Sequence, residues 1–284
     1  MYSLSIITIN RNNISGLEKT MQSVLSQTYN IFEYIVVDGA STDGSVEIIR
    51  RFASKFGNRL KWISEPDKGI YNAMNKGIRM STGEYIMILN SSDLLVSPTV
   101  IEDMIVVLNQ CGGTEILLGN IVKKVKKRKN RKEHHKRPLV PRAIDSSMYS
   151  FYRGTIPHDA AFIRRDVFEK YGFYDERLKI CSDWKLFLNA IALRGITPLH
   201  VDIDMVLFDM SGISESGGIN RELIKQERRA YLEEIIPPSI LKDYDRYGED
   251  IHIMQRLHRF PLAYRTVRFL ERCLFKYEKW FKAE

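Results

Sequence analysis

No run of about eighteen consecutive apolar residues, the length a membrane-spanning helix needs, occurs in the 284-residue chain. The first residues pass directly into a strand-like apolar run, without the basic-then-apolar leader of a signal peptide, so the expected location is the cytoplasm. Cysteine is scarce. Cys111, Cys181 and Cys273 are odd in number and widely spaced, which excludes a disulfide framework, offers no zinc pattern and fits reduced thiols. A Gly-rich basic phosphate loop near the N-terminus is also missing, which argues against nucleotidyl transfer. What is present, 44% hydrophobic and 27% charged residues, suffices for one large core in a soluble body plus an appendage.

Acidic residues nearly vanish from one segment. Lys123 to Arg142 holds eleven Lys or Arg and a single Glu, a local balance of +10, so against a net +8 the remainder carries 8 − 10 = −2. The basicity is therefore one patch, an insertion over 122–142, read as a solvated hairpin or loop. It either has no partner or attracts an anion: a phospholipid surface, a lipid-linked pyrophosphate or an anionic polymer. No aromatic residue interleaves the cations between Lys123 and Arg137, so a nucleic-acid partner is not expected. His134 and His135 within the tract lack a carboxylate pattern for a metal.

Three short apolar runs end in polar clusters. Ile6-Ile7-Thr8-Ile9 leads into Asn10-Arg11-Asn12, Tyr34-Ile35-Val36-Val37 into Asp38-Gly39-Ala40-Ser41-Thr42-Asp43-Gly44, and Tyr85-Ile86-Met87-Ile88-Leu89 into Asn90-Ser91-Ser92-Asp93. Branched runs closed by turn chemistry read as buried strands. Between them lie helical stripes: Leu17, Met21 and Val24 after a Ser15/Glu18 capping box; Val46, Ile49, Ala53 and Phe56; Ile70, Ala73, Met74 and Ile78, with Asp67 as cap; and Ile101, Met104, Ile105 and Leu108 after a Ser97 cap and Pro98. Alternating strands and helices, with a short strand near Leu60–Ile63, predict an α/β fold with a mostly parallel central sheet flanked by helices. Ligands bind outside the carboxyl ends of such strands, where the polar clusters fall.

These segments, with Ser23-Val24-Leu25-Ser26-Gln27, Glu65-Pro66-Asp67-Lys68-Gly69-Ile70-Tyr71-Asn72-Ala73-Met74-Asn75-Lys76-Gly77 and Gly83-Glu84-Tyr85, resemble the family-two inverting glycosyltransferases with a GT-A fold, of the bacterial surface-polysaccharide type. The likeness is dense over residues 3–95, returns around His158 and Asp183, and fades by about Ser214. It implies a catalytic domain over 1–215 and a helical C-terminal extension over 216–284. It also implies a nucleoside-diphosphate-sugar donor, a UDP-sugar, held near Thr8, Asn10, Arg11 and Asp38, with Asp67, Lys68 and Ser92 close by. Asp38 stands alone where many relatives have two aspartates, and its other reading is a turn residue capping its own loop. Asp43 reads as a helix cap. Lys68 either neutralises a diphosphate oxygen while Asp67 caps its helix, or both only shape the turn.

The same resemblance makes Asp93 the ligand of Mn2+ or Mg2+, with Ser92 where relatives carry a second carboxylate. It makes Asp183, in the first turn of a helix capped by Ser182, the base for the acceptor hydroxyl. His158 and Trp184 would line the acceptor side. The implied acceptor is a lipid-linked or otherwise anionic glycan. A basic amphipathic helix after Pro261, with Val267, Leu270, Leu274, Tyr277 and Phe281 along one stripe and Arg265, Arg268, Arg272, Lys276 and Lys279 along another, would touch either the inner face of the membrane or another protein surface. The alternative function is a catalytically silent nucleotide-sugar-binding protein.

Overall fold

In the computed structural model, which describes residues 2–124, 135–136, 146–208 and 217–281, the apolar runs form one half of a single sheet. β1 (Leu4–Asn10), β2 (Phe32–Asp38), β3 (Leu60–Ser64) and β4 (Tyr85–Ile88) run parallel in the order β3-β2-β1-β4. All seven residues of β1 are buried, as the centre of a sheet covered on both faces requires. The register sets Asn10 beside Asp38 and Asp38 beside Ser64, so the polar residues that end the strands share one edge.

The other half is mixed: short antiparallel pairs enter beside the long parallel ladders that the sequence predicts. β5 (Leu94–Leu95), β6 (Ile116–Lys124), β7 (His135–Lys136), β8 (Ala161–Arg164) and β9 (Leu199–Phe208) complete nine strands among the described residues. β8 joins the halves, antiparallel to both β4 and β6, while β6 and β9 are parallel. Lys123 and Lys124 pair antiparallel with Lys136 and His135, and most of the basic insertion lies outside the described residues.

Helices α1 (Ile14–Leu25), α2 (Ser45–Phe56), α3 (Ile70–Met80) and α4 (Val100–Gln110) follow the predicted stripes. Leu17, Met21, Ile49, Phe52, Ile101 and Met104 share a core with Ile6, Tyr34, Val36 and Met87. α3 packs on the opposite face, where a Cβ on Gly77 would lie 2.4 Å from Ile7 Cγ2, so glycine lets the helix approach β1. Then come α5 (Met148–Arg153), α6 (Arg165–Tyr171) and α7 (Ser182–Phe187), the last continuing as a π-turn over Leu188–Leu193, followed by α8 (Gly217–Ile235), α9 (Pro238–Leu257) and α10 (Pro261–Phe281). The chain divides into two compact units, Met1–Arg229 and Ala230–Glu284. Among the described residues no helix is long and apolar enough to cross a membrane.

The predicted caps are largely corrected. Asn13, not Ser15, caps α1, its Oδ1 accepting Gly16 N–H at 3.1 Å, because the chain already turns at Asn12 with φ 49°. Asp67 does not cap α3; it pairs with Lys76 Nζ at 2.7 Å, and Gly69, with φ 142°, precedes the helix. α4 starts after Thr99 rather than at Pro98, and Gln27 from α1's end supplies the acceptor, Oε1 to Ile101 N–H at 3.2 Å. Asp43 is structural as expected and serves two helices, accepting Ile14 N–H at 2.8 Å and Ser45 N–H at 3.1 Å.

Candidate active site

Asp38 ends β2 fully buried, and each of its oxygens is occupied. Oδ1 accepts Asn10 Nδ2 at 2.9 Å and Ser41 Oγ at 2.6 Å; Oδ2 accepts Ser41 N–H at 2.9 Å and Ser64 Oγ at 2.7 Å. Its carboxylate therefore anchors the loop after β2, the turn-capping alternative, and does not open toward a ligand. Thr8 is likewise internal: its hydroxyl donates to Leu89 O at 2.8 Å and accepts from Tyr34 at 2.9 Å. Asn10 is buried, with Nδ2 on Asp38 and Oδ1 without a donor. Arg11 is exposed beside Gly39, where a Cβ would meet Arg11 Cβ at 3.4 Å and Asp67 Oδ2 at 2.8 Å. Lys68 is exposed on the loop before α3, whereas Lys76 bridges Glu65 at 2.8 Å and Asp67 at 2.7 Å. Arg11 and Lys68 are thus the accessible cations of this corner.

The loop after β4 carries the second group. Ser92, in a left-handed conformation with φ 91°, turns its hydroxyl to Asn13 Nδ2 at 2.9 Å, onto the start of α1, so it does not stand with Asp93 as a second ligand position. Asp93 is buried, and its carboxylate acts on Asp159 and His158. Asn90 Nδ2 donates to Asp159 Oδ1 at 2.8 Å and lies 3.3 Å from His158 Nε2. His158 Nδ1 is 3.1 Å from Asp183 Oδ2, and Tyr71, in the first turn of α3, donates to Asp183 Oδ1 at 2.9 Å. A bonded chain therefore runs from Asn90 and Asp159 through His158, whose Nε2 is 3.3 Å from Asp159 Oδ1, to Asp183 and Tyr71, with the Asp93 carboxylate acting on the same imidazole. It brings Asp93 and Asp183 together; Asp38, held in its own loop across β1, is not part of it.

Charge follows this geometry. Burial alone would lower the pKa of His158, but the carboxylates of Asp159, Asp183 and Asp93 carry it up to about 9. Burial alone would raise Asp183; the hydrogen bond and charge of His158 and the Tyr71 hydroxyl outweigh it, and the net direction is down. At neutral pH the pair is an imidazolium beside a carboxylate. Asp159 is pushed up, by burial and then against the pull of His158. Tyr71, buried against the Asp183 carboxylate, is pushed far up and stays a proton donor.

Two expected positions move. Trp184 is core, its indole N–H donating to Phe151 O at 2.9 Å, so it does not line an acceptor side. Ser182 opens α7 rather than capping it, and its hydroxyl accepts Asp175 N–H. Residues the sequence reading passed over include Tyr71, Asn90 and Glu227. The first two lie inside segments that carried the family resemblance, a signal for position but not for role.

The glycosyl transferase family 2 pattern matches residues 5–172. A PGL/p-HBAD biosynthesis glycosyltransferase of Mycobacterium bovis is 25% identical over 227 residues, 80% of this chain and 82% of its own. An uncharacterised glycosyltransferase of Mycobacterium tuberculosis is 29% identical over 268 residues, 93% and 88% of the two chains. Among solved structures, S. aureus TarS has a TM-score of 0.61 at 16% identity, over 84% of this chain but only 41% of TarS. TarS 1–349 in complex with UDP-GlcNAc has a TM-score of 0.59 at 17% identity, covering 84% and 68% of the two chains. The mannosyltransferase PcManGT of Pyrobaculum calidifontis, in complex with GDP-Man and Mn2+, also scores 0.59, at 19% identity over 93% and 72%. The structural likenesses establish the GT-A type of fold.

Proposed function

The chain belongs to glycosyl transferase family 2, and on that premise we propose that it transfers a sugar from a UDP-sugar to an acceptor hydroxyl with inversion at the anomeric carbon. The observation that carries this reading is the chain from Asp159 through His158 to Asp183, with the Asp93 carboxylate acting on the same imidazole. Asp183 takes the proton of the acceptor hydroxyl while that oxygen bonds to the anomeric carbon and the carbon–oxygen bond to the diphosphate breaks, its electron pair leaving with the phosphate. Attack in line, from the face opposite the diphosphate, inverts the configuration. His158 and Tyr71 hold the two oxygens of Asp183, and Arg11 and Lys68 are the cations available to the nucleotide. The nucleotide sugars bound by two structural neighbours, UDP-GlcNAc and GDP-Man, support a donor of this class.

The residues fit a divalent cation of the Mn2+ or Mg2+ kind. Asp93 offers a hard carboxylate oxygen, and Asn90 Oδ1, three residues earlier, is a buried acceptor without a donor. Such a cation would take its other ligands from substrate phosphates and water. When bound, such a cation stabilises the charge of the departing diphosphate.

A thermal-shift series with UDP-GlcNAc, other UDP-sugars and GDP-mannose, each with and without manganese, tests donor and metal together. One UDP-sugar at 100 times its dissociation constant should stabilise the protein by about 2.7 kcal/mol, and only with the metal present. No shift with any nucleotide sugar would sink the reading.

The acceptor in this reading is a lipid-linked or otherwise anionic glycan used in cell-surface polysaccharide or glycolipid synthesis. The enzyme would work at the cytoplasmic face of the membrane, through Lys123–Arg142 and α10. α10 carries five Lys or Arg against two Glu, and each cation near an anionic bilayer contributes about 1 kcal/mol. Flotation with phosphatidylglycerol vesicles should therefore carry the protein at low salt and lose it at high salt, while phosphatidylcholine vesicles should not carry it. Equal recovery with both lipids, or none with either, contradicts the membrane contact.

A further inference from the structure

Asp183 rides on an α-helix of six residues that brings no cap of its own: Cys181, at its N-cap, makes no side-chain hydrogen bond to the following backbone. The three N–H groups just before the helix converge on one carboxylate from a distant part of the chain. Glu227 Oε1 accepts Lys179 N–H at 2.7 Å, and Oε2 accepts Ile180 N–H at 3.1 Å and Cys181 N–H at 3.0 Å. Two neighbours on α8 grip the same segment. Ile224 O receives the buried Cys181 thiol at 3.7 Å, and the Arg228 guanidinium lies 5.3 Å from the centroid of the Trp184 ring. Ile224, Glu227 and Arg228 stand at i, i+3 and i+4, one face of α8. From the other side the Tyr71 hydroxyl reaches Ile180 O at 2.5 Å as well as Asp183.

We propose that Glu227 is a positioning residue for Asp183: its carboxylate fixes the backbone of residues 179–181 and thereby the angle at which α7 presents the base. The inference rests on the assignment of Asp183 as that base. Successive backbone N–H groups form an anion-binding concavity, and a carboxylate fills it with charge-assisted bonds that a neutral group makes more weakly. Glutamine has one acceptor oxygen, and its NH2 group would face a backbone N–H, so at least one of the three donors loses its partner. A base displaced by about 1 Å can cost about 10²-fold in rate.

The test compares the full chain with Glu227→Gln and Glu227→Asp. Amide hydrogen exchange, which needs no substrate, should accelerate at residues 179–181 in Glu227→Gln while the β1–β4 amides stay protected. In the same variant, UDP release from UDP-GlcNAc, or from the UDP-sugar selected by thermal shift, should fall about 10- to 100-fold in kcat. UDP affinity should stay within about twofold, since none of the three clamped amides belongs to the nucleotide loops. Glu227→Asp, which keeps the charge, should recover part of both. Unchanged exchange at 179–181 overturns the clamp. Faster exchange with unchanged kcat, or kcat and UDP affinity falling together, overturns the positioning role. Absence of UDP release by the unmutated chain counts against the transfer reading, and the exchange rates then decide the clamp alone.

Discussion

Asp183→Asn should leave a folded protein that binds UDP within about twofold of the unmutated chain and transfers sugar about 10² to 10⁴ times more slowly, the contribution expected of a positioned general base. The amide is nearly isosteric and still accepts the Tyr71 hydroxyl on Oδ1, so packing is preserved. What disappears is the basic oxygen and the negative charge beside His158. The pH profile carries a second signature. Because His158 and Tyr71 hold Asp183 below its ordinary value despite its burial, the acidic limb of kcat/KM should lie below the usual aspartate range. Replacing His158 by Gln, which removes the imidazolium 3.1 Å away, should move that limb upward. Steady-state kinetics across pH measure both effects; transfer retained in Asp183→Asn would remove Asp183 from the chemistry.

The second large effect concerns stability. Asp38→Ala should destabilise the fold by about 1–3 kcal/mol, the range for leaving buried hydrogen-bond donors without their acceptor. Four donors, Asn10 Nδ2, Ser41 N–H, Ser41 Oγ and Ser64 Oγ, converge on this one buried side chain, and alanine removes their shared acceptor. Urea unfolding gives the measurement, with the slope unchanged and the midpoint lowered. UDP affinity should fall as well, because Arg11 and Gly39 flank this loop. A loss of under about 1 kcal/mol would mean that the carboxylate does not hold the loop together.

These two aspartates mark how far the sequence was legible. Both fall at element ends that the apolar periodicity locates, since branched runs such as Ile6–Ile9 and Tyr34–Val37 leave few alternatives to a buried strand. What periodicity does not contain is the direction of a side chain at a loop. Asp38 turns inward because Ser41 and Ser64 arrive from two other segments, and Ser92 turns to α1 because Asn13 waits there. The caps failed for the same reason. Gln27 reaches Ile101 across 74 positions, a contact that no local cap rule predicts. Asp43 succeeded because its acceptor role toward Ser45 is local. The mixed half of the sheet escaped the strand-helix alternation because β8 reverses direction between β4 and β6.

Asp93 and Asp183 illustrate the remaining distance between pattern and site. Each was assigned from its resemblance to a family motif, but what joins them, Asp159 and His158 with Asn90, depends on β8 lying beside β4. The role of Asp159 is legible only in three dimensions: it accepts Asn90 Nδ2 and helps keep His158 charged.

The most direct measurement is diffraction from crystals grown with Mn2+ and the UDP-sugar that the thermal-shift series selects. The account predicts an anomalous manganese peak at Asp93, the diphosphate against it, and the anomeric carbon between the diphosphate and the carboxylate of Asp183. Manganese or diphosphate bound away from Asp93, or Asp183 on the same side of the sugar as the departing diphosphate, would contradict it.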